Sequence, residues 1–129
     1  MENKSYVQLN VWKEARKLVK NVYHLSLSFP KEEVYGLTSQ MRRCAISVPS
    51  NIAEGIGRNH NNDTIQFLYV SRGSLYELET QLYLAQDLNY ISEKQREELS
   101  ENLTNVKKLL QGYINYKCGS PSRALITKH

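Results

Sequence analysis

The chain has 129 residues, with 17 Lys and Arg against 13 Asp and Glu, so its formal net charge is +4. With 40% hydrophobic residues, 23% charged residues, 6 glycines and 3 prolines, the composition is typical of one folded domain and excludes a disordered, collagen-like or low-complexity chain. Two cysteines are too few for a disulfide framework. No apolar run is long enough to span a membrane or follows a basic leader, so we expect a soluble, cytoplasmic protein.

The first two predicted helices are separated at Phe29 and Pro30, because the residue before a proline is driven out of the helical region. Gly36 delays the expected start of the second helix to about Leu37, and Gly57 follows its end. Apolar residues three and four apart define the buried face of each helix. In the first helix they are Val11, Ala15, Leu18, Val22, Leu25 and Phe29. In the second they are Leu37, Met41, Cys44, Val48 and Ile52.

A polar loop at residues 58–63 precedes the third predicted helix, with Asn62 or Asp63 as the expected N-cap. A largely apolar seam of this helix recurs with heptad spacing. Its residues are Leu68, Ser71, Leu75, Leu78, Leu82, Ala85 and Asn89. Residues 59–91 carry a net charge of −3, so this helix is the acidic part of an otherwise basic chain.

The fourth predicted helix begins at Ser92, which forms a capping-box pattern with Gln95, and ends near Cys118. No segment of the sequence alternates between apolar and polar residues with period two, as a half-buried strand would. The sequence therefore predicts an all-α, up-and-down four-helix bundle over residues 1–118. Residues 119–129 are expected to form a flexible C-terminal tail.

The sequence carries no enzyme signature. Its three histidines lack the Glu three residues earlier that di-iron bundles use, and no glycine-rich phosphate loop opens a helix. Cys44 lies on an apolar stripe and is interpreted as a small core residue, and Cys118 has no activating base nearby in sequence. We therefore predict no enzyme activity, catalytic residue, metal, cofactor, small-molecule substrate or membrane association.

A basic stripe on the first helix is the best candidate for nucleic-acid binding. It comprises Lys13, Arg16, Lys17 and Lys20. Arg42, Arg43 and Arg58 add positive charge on the second helix. Clustered Lys and Arg side chains bind the phosphates of nucleic acids, so these seven residues form the predicted nucleic-acid-binding set. The alternative is a solvated helix face, which the modest net charge also allows.

Tyrosines recur every seven residues along the third predicted helix and its end. They are Tyr69, Tyr76, Tyr83 and Tyr90, and the charged residues Arg72 and Glu79 alternate with them. Rigid amphipathic rings between charged groups are typical of protein interfaces, so these six residues are predicted to form an oligomer interface. Two alternatives stay open: rings that are only partly buried in the bundle, and a platform on which unpaired bases stack.

A polar stripe follows the second helix at helical spacing. It comprises Gln40, Arg43, Ser47, Asn51, Glu54 and Arg58. Because the apolar arc of this helix is wide, some of these groups must be partly buried and hydrogen-bonded. We interpret Gln40, Ser47, Asn51 and Glu54 as a structural polar network that sets helix register. A functional site at this stripe is the alternative.

The run QMRRCAISVPSNIAEGIGR at residues 40–58 resembles the signature of a bacterial family, the ribosomal protein-like four-helix-bundle proteins encoded in 23S rRNA intervening sequences. The rest of the pattern follows in the same order over about residues 6–115. It comprises Trp12, Phe29-Pro30, Tyr35-Gly36-Leu37 and Gly73-Ser74-Leu75-Tyr76-Glu77-Leu78-Glu79. The sequence departs from this pattern at Cys44 and Arg72, where alanine is common.

This resemblance implies an all-α bundle that forms a homopentameric ring, and it supplies no catalytic residue. The accessory variability proteins of diversity-generating retroelements are similar in fold, and they bind nucleic acid and a reverse transcriptase through basic surfaces. Together with the basic stripe, the resemblance predicts a non-enzymatic homo-oligomer that binds RNA or a ribonucleoprotein partner. The alternative is a homo-oligomeric protein-interaction scaffold with no nucleic-acid role.

Overall fold

The structure is a computed structural model that describes residues 5–119, and this range contains four α-helices. They are α1 (Asn10–Ser26), α2 (Leu37–Ile56), α3 (Asn61–Asp87) and α4 (Glu93–Lys117). Short 3₁₀ turns at Ser5–Gln8 and Lys31–Glu33 precede α1 and α2. The predicted all-α class is confirmed, since residues 5–119 contain no strand. Residues 120–129, which make up nearly all of the predicted tail, lie outside the described range.

The four helices pack in a cyclic order that follows the chain. Helix α1 lies beside α2 and α4, and α3 lies beside the same two helices from the opposite corner. Neighbouring helices are antiparallel, because late residues of one meet early residues of the next: Gly55 contacts Thr64, and Val48 contacts Ser71 about two turns further along α3. This arrangement is an up-and-down bundle with short connections.

All four helices contribute aliphatic side chains to one core. Leu18 of α1, Met41 of α2, Leu75 of α3 and Leu103 of α4 are fully buried. Each belongs to a stripe of residues three and four apart, and burying one such side chain contributes about 1.5–3 kcal/mol to stability. The stripes therefore determine which face of each helix points inward.

Helices α2 and α3 approach each other most closely at Gly55. A Cβ atom at this position would lie 3.0 Å from the carbonyl oxygen of Thr64 and 3.0 Å from Cβ of Phe67. The Thr64 hydroxyl donates a 2.7 Å hydrogen bond to the Gly55 carbonyl, and the buried Ser71 hydroxyl donates one of 2.9 Å to the Val48 carbonyl. Small residues thus let the two backbones meet directly.

The predicted N-cap of α3 is wrong, and the predicted seam extends beyond the end of the helix. The N-cap is His60 rather than Asn62 or Asp63, and its side chain makes no capping hydrogen bond. At the other end the helix stops at Asp87, because Asn89 adopts a left-handed φ of 63°. An asparagine tolerates this conformation and lets the last carbonyls find donors from the turn. Asn89 therefore terminates the helix instead of extending its apolar seam.

The predicted start of α4 is confirmed. Ser92 Oγ accepts a 3.1 Å hydrogen bond from the Gln95 backbone, and Gln95 Oε1 accepts one of 2.8 Å from the Ser92 backbone. This capping box satisfies two backbone donors that the first turn of a helix leaves free. Helix α2 also begins at Leu37, as predicted from the sequence.

Glu33 connects the start of α2 to the turn between α3 and α4. Its Oε1 accepts a 2.9 Å hydrogen bond from the Leu37 backbone, and its Oε2 accepts one of 2.7 Å from the Tyr90 hydroxyl. The Leu37 hydrogen bond, and then the Tyr90 hydrogen bond, lower the pKa of Glu33 below its ordinary value of 4.5. The same contact raises the pKa of Tyr90.

Candidate nucleic-acid interface

Helix α1 presents four exposed cations on the face that points away from the core. They are Lys13, Arg16, Lys17 and Lys20. Glu14 is the only carboxylate on the helix. It lies towards α4, where its Oε1 accepts a hydrogen bond from Asn102 at 3.4 Å. The outer face of α1 is therefore strongly positive, in an arrangement suited to contact phosphates.

The four cations differ in the contacts that each makes within the bundle. Lys17 pairs with Glu14 at 2.9 Å, yet its side chain stays 65% exposed, so this ion pair is weak. The Arg16 guanidinium lies over the Trp12 ring, 5.0 Å from its centroid. Within residues 5–119, Lys13 and Lys20 make no hydrogen bond or ion pair. These two charges are fully available to an anionic partner.

An open groove between α1 and α2 adjoins this basic face. Its volume is about 520 Å³. It is lined by Tyr6, Trp12, Arg16, Val19, Lys20, Tyr23, Ile46, Pro49, Ser50 and Ala53. The sequence does not reveal this groove, although Trp12, Val19 and Tyr23 share one flank of α1 at helical spacing. Only the packing of α2 beside that flank turns the stripe into a concave surface.

Of the three arginines predicted on the second helix, Arg42 and Arg58 contact neighbouring helices, and Arg58 lies just beyond the end of α2 at Ile56. Arg42 Nε donates a 2.8 Å hydrogen bond to Ser26 Oγ, and its guanidinium covers the Tyr23 ring at 4.5 Å. Arg58 pairs with Glu54 at 2.8 Å and lies over the ring of Phe67 on α3. Arg43 remains exposed and donates a 3.2 Å hydrogen bond to Ser39. The structure therefore gathers the α1 cations on one face and gives at least Arg42 and Arg58 structural contacts.

The tyrosine row of α3 lies along the seam with α4, and each ring has a cation over one face. Lys107 Nζ lies 4.4 Å from the centroid of the Tyr76 ring, and Arg96 lies 4.5 Å from that of Tyr83. Arg72 covers the Tyr69 ring at 4.6 Å. The Lys107 and Arg96 contacts attach α4 to α3, whereas the Arg72 contact lies within α3. All three rings stay exposed to solvent in the single chain.

The other residues predicted for the oligomer interface also make contacts within the chain. Glu79 forms a 2.8 Å ion pair with Lys107, and Arg72 donates a 3.0 Å hydrogen bond to Gln111. Tyr90 lies beyond the end of α3, where its ring packs on Phe29 with the centroids 5.3 Å apart. The row on α3 therefore has three tyrosines, and the fourth belongs to the turn before α4.

The predicted polar network on α2 is smaller than the stripe that suggested it. Ser47 Oγ accepts hydrogen bonds of 2.9 Å from Asn51 and from Ser74 of α3, so these three residues join α2 to α3. Glu54 is exposed and pairs with Arg58 instead. Gln40 is exposed and makes no side-chain hydrogen bond within the described residues.

Cys44 does not have the surroundings of a catalytic nucleophile. The Cys44 thiol is buried and donates to the Ser74 carbonyl, with 3.1 Å between sulfur and oxygen. Burial, followed by the nearby charge of Glu77, raises the pKa of Cys44 to about 12, which keeps the thiol protonated and unreactive. Residues 5–119 contain no cluster of three or more metal-ligating side chains, and none of their helices could cross a membrane.

These features define an all-α four-helix bundle with a basic outer face on α1. The chain belongs to the 23S rRNA-intervening sequence protein family, whose pattern it matches over residues 7–112. A solved structure is similar in fold, that of a protein with unknown function from the S23 ribosomal protein family of Bacteroides thetaiotaomicron VPI-5482. The TM-score is 0.72 at 22% sequence identity, over 81% of this chain and 97% of that chain. No curated protein matches the chain.

Proposed function

We propose that this protein is a non-enzymatic, cytoplasmic RNA-binding bundle, which holds RNA or a ribonucleoprotein through the outer face of α1. The observation that carries the proposal is the set of four exposed cations on that face, facing solvent with one weakly paired carboxylate beside them. Lys13 and Lys20 have no competing partner within the described residues. The family is named for 23S rRNA intervening sequences, so a structured RNA is the first nucleic acid to test.

Binding to phosphates through the α1 cations predicts a definite dependence of the association constant on salt concentration. Each phosphate that a cation neutralises releases counterions, so the logarithm of the association constant falls with the logarithm of salt concentration by about 0.9 per contact on a duplex. Four contacts on α1 give a slope of about −3.6 for one subunit. If the face is only solvated and has no nucleic-acid role, RNA should bind weakly. Replacing the α1 lysines should then weaken binding no more than replacing lysines elsewhere on the surface.

The test compares two triple variants that lower the net charge equally. The first carries Lys13→Ala, Lys17→Ala and Lys20→Ala, and it keeps Arg16 because this residue covers Trp12. The control carries Lys31→Ala, Lys94→Ala and Lys108→Ala, which removes three exposed cations from elsewhere on the surface. Binding of a labelled RNA hairpin is measured by fluorescence anisotropy at several salt concentrations. The magnitude of the salt slope should fall by about 2.7 in the first variant, because three phosphate contacts are lost. The control should keep most of the slope.

Equal binding by the two triple variants would refute the proposed role of α1. Equal and weak binding by both variants and the parent would favour the second candidate, an interaction scaffold with no nucleic-acid role. That candidate draws on the tyrosine row, because Tyr76 and Tyr83 remain 55% and 50% exposed on α3. We propose that this row joins copies of the chain into a homo-oligomer, with a pentamer as the expected size, under either candidate.

A further inference from the structure

The groove between α1 and α2 has an unusual combination of aromatic rings and cations. Tyr6, Trp12 and Tyr23 line it, and the Tyr6 and Trp12 rings meet edge to face with centroids 5.1 Å apart. Its volume of about 520 Å³ falls within the range of sites that bury small ligands. Aromatic rings at a concave surface offer stacking partners to a planar, apolar group.

The charges at the groove favour a negatively charged ligand. Arg16 and Lys20 both line it, and no carboxylate occurs among its described lining residues. The guanidinium of Arg16 already stacks on Trp12, and such a plane can stack in turn on a nucleobase. Lys20 has no partner within residues 5–119 and can reach an anion beside the stacked group. A ligand with a flat ring next to a negative charge satisfies both features.

An RNA nucleotide has this chemistry, but only when its base is unpaired. Bases in a duplex are paired and stacked on one another, so their faces are not accessible to side chains. Bases in bulges, loops and single strands can instead turn outward and stack on aromatic rings. Lys13 and Lys17 lie on the same outer face as Arg16 and Lys20. The flanking phosphates of the same strand could therefore follow the α1 face.

We infer that the α1–α2 groove binds one unpaired nucleotide of the RNA, with its base against the aromatic rings and its phosphate on Arg16 and Lys20. This inference rests on the proposed function and adds the kind of RNA that is recognised: a bulge or loop rather than a continuous duplex. The aliphatic residues Val19, Ile46 and Pro49 give the groove an apolar lining against which the inserted base can pack.

The chain provides its own probe, because Trp12 is its single tryptophan. The parent protein is titrated with two blunt-ended RNA duplexes, each annealed from two strands, that differ only in one bulged nucleotide. The bulged duplex should bind at least about ten-fold more tightly, which corresponds to the stacking of one base, and it should quench Trp12 emission. The fully paired duplex should bind with the same salt slope and leave the emission unchanged.

Two variants at the groove separate base stacking from folding. Trp12→Leu keeps an apolar side chain in the groove. It should remove the preference for the bulge, so that the two RNAs bind with about equal affinity. Ser50→Leu changes an exposed residue on the opposite wall and should block the base while Trp12 stays in place. Tyr35→Ala is the matched control, since Tyr35 is an aromatic residue 94% exposed outside the groove, and it should keep the full preference.

The outcomes distinguish this inference from the proposed function. Binding that depends on Lys13, Lys17 and Lys20, but shows equal affinity for the two duplexes and unchanged Trp12 emission, overturns the inference alone. The same conclusion follows if folded Ser50→Leu retains the ten-fold preference. Binding that is indifferent to the three lysines overturns the proposed function and the inference together.

Discussion

At the scale of single residues, Glu33 shows how one carboxylate holds two distant segments together. It accepts hydrogen bonds from the Leu37 backbone at the start of α2 and from the Tyr90 hydroxyl after α3. Both interactions favour the ionised form, so the pKa of Glu33 lies below its ordinary value of 4.5 in the folded protein. Ionised Glu33 therefore stabilises the fold, and its protonation removes that contribution.

We predict that Glu33→Gln reduces the acid sensitivity of the protein. Because the pKa of Glu33 is lower in the folded state, its contribution is present above the ordinary value of 4.5 and is lost as the pH falls through the folded value. The amide side chain of the variant would still accept a hydrogen bond but would not titrate. Urea unfolding at about pH 7 and about pH 3 should show a smaller loss of stability in Glu33→Gln than in the parent. Identical losses would contradict the assigned role.

At the scale of elements, the contact between α2 and α3 depends on the absence of a side chain at Gly55. Glycine in a helix normally costs stability, by about 0.5–1 kcal/mol relative to alanine. At Gly55 the space for a methyl group is already taken by the Thr64 carbonyl and by Phe67. At Gly73, in the middle of α3, a Cβ atom would meet nothing within 4 Å.

The two glycines should therefore respond to alanine with opposite signs. Gly55→Ala crowds the α2–α3 contact, and we expect it to destabilise the fold by about 1–2 kcal/mol, since overpacking outweighs the gain in helix propensity. Gly73→Ala should stabilise the fold by about 0.5–1 kcal/mol. Urea unfolding midpoints measure both changes. If Gly55→Ala proved as stable as Gly73→Ala, α2 and α3 would not be in close contact at this point.

Most helix positions were correctly predicted from local signals, and the errors have local causes as well. The Ser92 capping box and the start of α2 at Leu37 depend on residues within one turn, so the sequence alone predicts them. The heptad spacing placed Asn89 on the seam of α3, although this residue adopts the left-handed conformation and lies beyond the end of the helix. Apolar periodicity describes which face is buried and does not report where the backbone reverses.

At the scale of the whole molecule, the tyrosine row of α3 is the surface proposed to join copies of the chain. One face of the Tyr76 ring is covered by Lys107, and one face of the Tyr83 ring by Arg96, both from α4. A carboxylate at either position would therefore lie beside a cation of its own chain. This arrangement lets a charged substitution disturb assembly without unfolding the bundle.

We predict that Tyr76→Glu combined with Tyr83→Glu dissociates the oligomer and preserves helicity. The new carboxylates would pair with Lys107 and Arg96 within one chain, but they would place charge in an interface that two copies must desolvate. Sedimentation velocity should show a shift from the oligomer to the monomer, with an unchanged circular dichroism spectrum. Tyr35→Glu is the control and should leave the mass unaltered. An oligomer that survives the double substitution would place the interface elsewhere.

The sequence by itself determined the fold class, the number of helices, the buried stripes and the basic face of α1, because each depends on residues within a few turns of one helix. Only the tertiary structure decided which charges remain available and where a concave surface lies. Arg42 and Arg58 became structural because α1 and α3 bring rings beneath them. The aromatic groove beside α1 exists because α2 packs against that flank. Such pairings join residues far apart in the chain, so spacing within one helix carries no information about them.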